Sequence, residues 1–240
     1  SPAMSAGWVA SSEKFWEPIS KYINHFKIRG SYGLVGSDAF ASGAPHFLYQ
    51  NNIGIGSAHN FWTGLPTSEI SKKGPGFYVL AVQDAGWEHV KKFDIGFDMM
   101  LFNQLNITFD YFHDKRERIL MSRASWPSML GCWGSKPWSN IGEVENQGFE
   151  LSLNWTKQFG KDLTLDLRGN FTYNQNEYKY VDEPSYPYVW QTNTGKPLNT
   201  VKGYIAEGLF TSEEEIANSP DQSQLGANIM PGDIKYRDIN

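Results

Sequence analysis

The stretch NITFDYFH at residues 106–113 alternates strictly. Ile107, Phe109 and Tyr111 fall on one face of an extended chain, and Thr108 and Asp110 fall on the other. The rhythm returns elsewhere. In FELSLNWT (149–156), Phe149, Leu151, Leu153 and Trp155 oppose Glu150, Ser152, Asn154 and Thr156. In KKFDIGFDMML (91–101), Phe93, Ile95, Phe97, Met99 and Leu101 oppose Asp94 and Asp98. In FKIRGSYGLV (26–35), Phe26, Ile28, Tyr32 and Leu34 oppose Lys27, Arg29 and Ser31, and LTLDLRGNFTYN (163–174) repeats the scheme. A period of two held this long predicts strands well beyond the usual ~5–6 residues. They approach the ~9–11 residues of a tilted membrane strand.

The remaining segments predict the connections. Residues 3–10 read as a short strand. SSEKFWEPISKYI then places Phe15, Trp16, Ile19, Tyr22 and Ile23 at helical spacing behind Ser11 or Ser12 as a cap, which predicts a short amphipathic helical connector. From Gly36 to Asp84 the Gly, Ser, Pro, Asn and His content predicts a long irregular loop, interrupted by a short hairpin around 77–83. LFNQLN (101–106) is a tight reversal suited to Asn103. A strand to about Leu120, a loop over 121–145, a strand over 146–157, a turn at 158–162, a strand over 163–178 and a loop to about Lys196 complete the pattern. Long connections therefore alternate with short ones, as in up-and-down membrane barrels. Two readings stay open on pattern alone. The polar face looks at bulk water in a soluble β-sandwich, or the apolar face looks at lipid and the polar face at a wet lumen.

Composition narrows the choice only partly. A net charge of −5 with no basic stripe argues against a nucleic-acid surface. Aromatics at 15 % suit places with one dry and one wet end, such as membrane boundaries and sugar-binding surfaces. No apolar run approaches the ~18 residues of a membrane helix, which leaves a barrel possible. Cys132 is the single cysteine, so no internal disulfide forms. SPAMSAGWVA lacks a signal peptide's basic start and apolar core, and YRDIN ends without a cap, so the reading expects a piece of a longer protein.

Specific motifs carry a resemblance. PAMSAGWVASSEKFWEPISKYINHFKIRGSYGLVGSD (2–38), WEHVKKFDIGFDMMLFNQLNITFDYFHDKRERIL (87–120), NIGEVENQGFELSLNW (140–155), GNFTYNQNEY (169–178), KGYIAEGLFTSEEEI (202–216) and PGDIKYRDIN (231–240) follow one another in order. Together they resemble the barrel of SusC/RagA-type TonB-dependent outer-membrane transporters over nearly the whole chain. The resemblance implies an all-β fold: a fragment of an antiparallel up-and-down transmembrane β-barrel of about seven strands, with long loops on one side and short turns on the other. It implies that residues 1–240 are part of the barrel, with the signal peptide, N-terminal plug domain, TonB-contact segment and last strands absent. The function implied is import of oligosaccharides or peptides across the outer membrane of a Gram-negative bacterium. The implied partners are a SusD-like lipoprotein, TonB acting through missing parts of the chain, and outer-membrane lipid. No cofactor and no covalent chemistry are implied.

Candidate residues follow. Asp94, Asp98, Asp110, Glu150, Asp166 and Arg168 lie on polar strand faces and are expected to line a lumen; in a soluble fold the same residues are a solvated face. Trp62, Trp126, Trp133, Trp138, Tyr186, Tyr188 and Trp190 fall in expected loops, where they can stack on sugar rings, dock a partner, or pack the loops together. Asp238 and Asn240 form at most part of a truncated calcium-like loop, and the five histidines show no metal-site pairing. No catalytic motif is present. The alternative functions are a soluble β-sandwich carbohydrate-binding module and a secreted hydrolase, which would need a working carboxylate pair.

Overall fold

The computed structural model describes the chain except residues 39–42, 45, 64–69, 83, 128, 130–135, 227 and 240, and describes only the backbone of 55–63, 70, 71, 73 and 75. Two compact units result, Ser1–Leu198 and Asn199–Asn240.

The first unit is built on a six-stranded sheet of order β1-β2-β5-β6-β7-β8. Its strands are β1 (Ala3–Val9), β2 (Ile23–Ser37), β5 (Glu88–Leu101), β6 (Leu105–Ser122), β7 (Trp138–Phe159) and β8 (Leu163–Tyr180). Every neighbouring pair is antiparallel. The expected alternation holds, with strands of 14–22 residues in β2 and β5–β8. Among the described residues six strands share this sheet. The sheet is open, and β3 (Asn52–Thr63) and β4 (Ile70–Val79) form a separate hairpin.

Short connections gather at one end of the sheet. β5 turns into β6 over 102–104, where Phe102 and Asn103 take φ of 54° and 53°. Left-handed backbone is costly for Phe102, and surrounding bonds hold it. Its N–H donates to the Tyr22 carbonyl at 2.9 Å, and the Asn103 N–H donates to Asn24 Oδ1 at 2.6 Å. β7 turns into β8 through Gly160 at φ 68°.

Three expectations are corrected. The 11–23 connector is not an α-helix but two 3₁₀ segments, Ala10–Ser12 and Lys14–Ile19. Pro18 lies inside the second and has no N–H to offer the Lys14 carbonyl, so an α-turn cannot close there. Instead Trp16 stacks on Phe26 at 5.3 Å and donates from Nε1 to the Ile23 carbonyl at 3.0 Å. The expected irregular loop over 36–84 contains the β3–β4 hairpin, paired from Asn52↔Val79 to Thr63↔Ile70. Its glycine-rich strands lack the large alternating side chains that announce a strand, and backbone pairing does the work. Finally, β7 begins at Trp138 rather than 146, so the preceding connection shrinks to 123–137 and Trp138 is not a loop residue.

The sheet carries almost no core of its own. Among the described residues of this unit, the buried apolar side chains are Ala10, Leu48, Val82 and Leu120. Leu48, Val82 and Leu120 cluster at the long-connection end, with Ala44 and Trp138 packed against them. The apolar face is left bare. Tyr111 is 36 %, Tyr173 50 % and Phe171 55 % exposed, whereas a sandwich would cover them with a second sheet.

In the second unit β9 (Ala206–Leu209) pairs with β10 (Ile234–Tyr236), and Phe210 is buried. A short helix α1 (Glu213–Ala217) is capped by Ser212, whose Oγ accepts from the Glu215 N–H at 3.2 Å. Glu215 reaches back to the Thr211 N–H (2.9 Å) and hydroxyl (2.8 Å) and pairs with Lys235. Those bonds, the Thr211 N–H first, hold its carboxyl below the usual range. Among the described residues no helix is long and apolar enough to cross a membrane.

Candidate functional site

The register turns alternating strands into two continuous surfaces. On one, Ile28, Phe97, Phe109, Leu151 and Phe171 lie side by side across five strands. Ring contacts run along this surface from Phe26 to Phe97 (5.9 Å), Phe97 to Phe109 (5.5 Å), Phe109 to Phe149 (6.0 Å), and Phe149 to both Phe171 and Tyr173 (5.7 Å each). Toward the long-connection end the same surface becomes charged. Lys91 and Lys115 both reach Glu117 at 2.7 Å, His113 meets Glu145 at 2.8 Å, and Lys179 joins Glu145 at 2.6 Å and also contacts Glu177.

The other surface is polar. One row reads Arg29, Gly96, Asp110, Glu150, Thr172 and the next Lys27, Asp98, Thr108, Ser152, Asn170. Beyond them lie Asn106, Asn154 and Arg168, then Thr156 opposite Asp166. Asp94 pairs with Ser31 in register. Asp94, Asp98, Asp110, Glu150, Asp166 and Arg168 therefore share one face of one sheet, but they do not form one cluster.

Asp94, Asp98 and Asp110 converge on Arg29. Its guanidinium lies 2.6 Å from Asp110, 3.3 Å from Asp98 and 3.7 Å from Asp94. Asp98 also accepts from the Thr108 hydroxyl at 3.3 Å. Gly96 lies between Arg29 and Asp110 in register, and a Cβ there would collide with the Asp110 carboxylate and the Phe109 carbonyl. Arg29 is the hub that sequence reasoning placed on the face without assigning it a role; the cue was one arginine opposite a run of aspartates. Asp166 instead accepts from the Thr156 hydroxyl at 2.5 Å. Arg168 borders an open concavity of about 340 Å³ with Asn106, Thr108, Ser152, Leu153, Asn154 and Asn170.

At the long-connection end two acidic residues organise the loops. Asp182 is almost fully buried and accepts from the Ser125 N–H (3.0 Å) and hydroxyl (2.8 Å), with Arg123 at 3.4 Å. Burial pushes its carboxyl up, but the Ser125 bonds and the Arg123 charge outweigh this and hold it below the ordinary carboxylate range. Glu183 accepts from the Asn193 N–H (2.8 Å), the Thr194 N–H (3.1 Å) and the Thr194 hydroxyl (2.9 Å). The segment so pinned presents Tyr188 and Trp190 stacked at 4.4 Å with rings 12° apart. Lys196 donates to the Trp190 carbonyl at 2.6 Å, and Tyr188 and Trp190 stay exposed.

The other loop aromatics differ. Trp126 is half-buried, and its indole N–H has no partner among the described residues; Trp138 packs on the buried cluster. Trp62 lies in β3 and its side chain is outside the described residues, as are Cys132, Trp133 and Asn240. Asp238 precedes the end of the chain, and among the described residues no group of His, Cys, Asp or Glu could hold a metal.

Comparison with known proteins places this architecture. Residues 1–223 match the family described as TonB dependent receptor-like, beta-barrel. TonB-dependent receptor P39 of Formosa agariphila is 28 % identical over 230 residues, covering 95 % of this chain and 20 % of that protein. TonB-dependent receptor SusC of Bacteroides thetaiotaomicron is 26 % identical over 188 residues, covering 73 % of this chain and 17 % of that protein. Among solved structures, a chain of the RagAB peptide importer in the open-open state superimposes with a TM-score of 0.63 at 19 % identity, covering 87 % of this chain and 21 % of that one. The chain thus spans about a fifth of the length of these relatives.

Proposed function

The chain belongs to the TonB-dependent receptor-like β-barrel family, and from that premise we propose that it forms part of the wall of an outer-membrane importer of oligosaccharides or peptides. The supporting observation is the unbroken separation of the two surfaces across the register of β2 and β5–β8. The aromatic surface faces lipid. From Phe93 to Leu101 it spans eight residue steps, about 27 Å along the strand. A tilt of about 35–45° brings this to about 20 Å, near the ~25 Å apolar band of such barrels. The ion-paired collar beyond Phe93 and Tyr111 then sits at the headgroups. Asp94, Asp98, Asp110, Glu150, Asp166 and Arg168 line the lumen, where hydrophilic cargo passes without chemical change. Closure by strands outside this chain satisfies the free edges of β1 and β8, which hydrocarbon requires.

The long-connection end faces outward from a Gram-negative cell. The Tyr188–Trp190 stack contacts cargo or a SusD-like lipoprotein, a role supported by its exposure and by the bonds that hold it in place. A plug domain and a TonB-contact segment, also outside this chain, couple the barrel to energy. The RagAB importer and the TonB-dependent receptors named above motivate these assignments.

Nitroxides placed singly at Leu151 and Ser152 of the full-length protein in lipid vesicles test the orientation. Molecular oxygen relaxes the label at 151, and a water-soluble nickel chelate relaxes the label at 152. The opposite pattern, or equal access, removes the lumen assignment.

A further inference from the structure

The 10–22 connector between β1 and β2 is short, but its longer 3₁₀ segment is apolar on two of three faces. In Lys14–Ile19 the helix repeats every three residues, so side chains at i and i+3 share a face. Lys14 and Glu17 share one, Phe15 and Pro18 a second, and Trp16 and Ile19 the third. Ring contacts fix where the apolar faces turn. Trp16 stacks on Phe26 with the rings 5.3 Å and 8° apart, and Phe26 meets Phe97 at 5.9 Å. Phe15 joins Trp16 at 6.2 Å and Trp8 at 6.1 Å. Both indoles are satisfied locally, Trp16 by the Ile23 carbonyl at 3.0 Å and Trp8 by Glu13 at 3.2 Å. The connector thus folds back along the aromatic surface and extends its ring ladder. Under Trp16, β2 and β5 have both strand neighbours within this chain, so the stack on Phe26 owes nothing to strands outside it.

The level of the connector fits one medium. Phe26 is in register with Met99, two residues short of Leu101, where the apolar run of β5 ends. Two residues are about 7 Å of strand, within the ~5–10 Å depth at which interfacial amphipathic segments lie. Trp and Tyr are enriched at such boundaries, and Tyr22, edge-on to Phe102 at 6.1 Å, marks the same margin beside the β5–β6 turn. The opposite margin of this surface is built from ion pairs, with Lys91 and Lys115 on Glu117 and Lys179 on Glu145. Here Glu13, Lys14, Glu17 and Lys21 balance, so the connector has no net charge to offer an anionic membrane. Apolar area alone is left to seat it.

We infer that the 10–22 connector is an interfacial anchor in the periplasmic leaflet, with Phe15, Trp16 and Ile19 at the headgroup–acyl boundary of zwitterionic phospholipid. The inference rests on the lipid reading of the aromatic surface and extends it to a segment outside the strands. Nitroxides placed singly at Phe15 and Glu17, both exposed, test it in the full-length protein without native cysteines. The protein is held in vesicles of phosphatidylcholine and phosphatidylethanolamine, and heat-modifiable migration on gels shows that each labelled form has folded. Oxygen relaxes the label at 15 several-fold more than the label at 17, and the nickel chelate does the reverse. Added phosphatidylglycerol or high salt leaves both unchanged. Equal chelate access at 15 and 17 puts the connector in water, and exclusion of both reagents from 15 puts it against protein. A response to phosphatidylglycerol makes the contact electrostatic. Each of these outcomes overturns the anchor. The label at 151 separates this failure from a larger one: with oxygen access kept at 151 the anchor falls alone, and with it lost the lipid reading falls too.

Discussion

Arg29 on β2 and Asp110 on β6 lie 2.6 Å apart although β5 runs between them. Gly96, the residue between them, has no side chain to obstruct the reach. Gly96→Ala places a methyl against the Asp110 carboxylate and separates the pair. The expected loss is about 1–3 kcal/mol of barrel stability, read as a lower temperature of heat modification for the full-length protein. Gly30→Ala is the control, since a Cβ there meets only the Asp94 carbonyl at 3.6 Å.

Phe109 and Thr108 are adjacent in β6 and point to opposite surfaces. Phe109→Lys replaces the middle of the ring ladder with a charge toward lipid, and should cost about 2–4 kcal/mol in denaturant titrations in lipid. Thr108→Lys puts its ammonium on the polar face beside Asp98 and should cost under about 1 kcal/mol. Equal costs would mean that the two surfaces see the same medium.

Asp182 anchors the 123–137 connection to the exit of β8 through Ser125. Its native carboxyl titrates below the ordinary range, so the anchor is fully present above the unfolded carboxyl's pKa of about 3.9 and is lost as pH falls through the lower native value. Asp182→Asn should speed intrinsic-rate-corrected hydrogen exchange at the Ser125 amide by about tenfold at pH 7. The difference from wild type should disappear only below about pH 4. A difference already gone at pH 6 contradicts the assignment.

The segment bearing the stacked Tyr188 and Trp190 is held by Lys196 donating to the Trp190 carbonyl and by the Asn193 and Thr194 N–H groups donating to Glu183. Replacing both with Ala should leave heat modification unchanged. Cargo or lipoprotein affinity should fall by about tenfold or more, as for aromatic anchors in interfaces. Unchanged affinity for both would make the pair loop packing only.

How much of this was legible beforehand differs by element. Phe93 to Leu101 and Phe149 to Trp155 announced their strands because large side chains alternate without interruption. β3 was not legible, because GIGS offers no such signal and its pairing with β4 is a long-range backbone event. Trp138 read as a loop aromatic, since the polar residues after it hide a strand that only pairing with Ser122 reveals. Among the candidate residues, membership of the polar face was legible for Asp94, Asp98 and Asp110, but their convergence on Arg29 was not.

The period of two determined, from sequence alone, which side chains share a face, because a pleated strand allows no other distribution. Tertiary structure alone decided who meets whom. Register set Arg29 beside Gly96 and Asp110, left Arg168 beside Asn154, and bound Asp182 to Ser125. Those meetings depend on residues 57 to 81 positions apart or on strand partners, and no local pattern encodes a distance across a sheet.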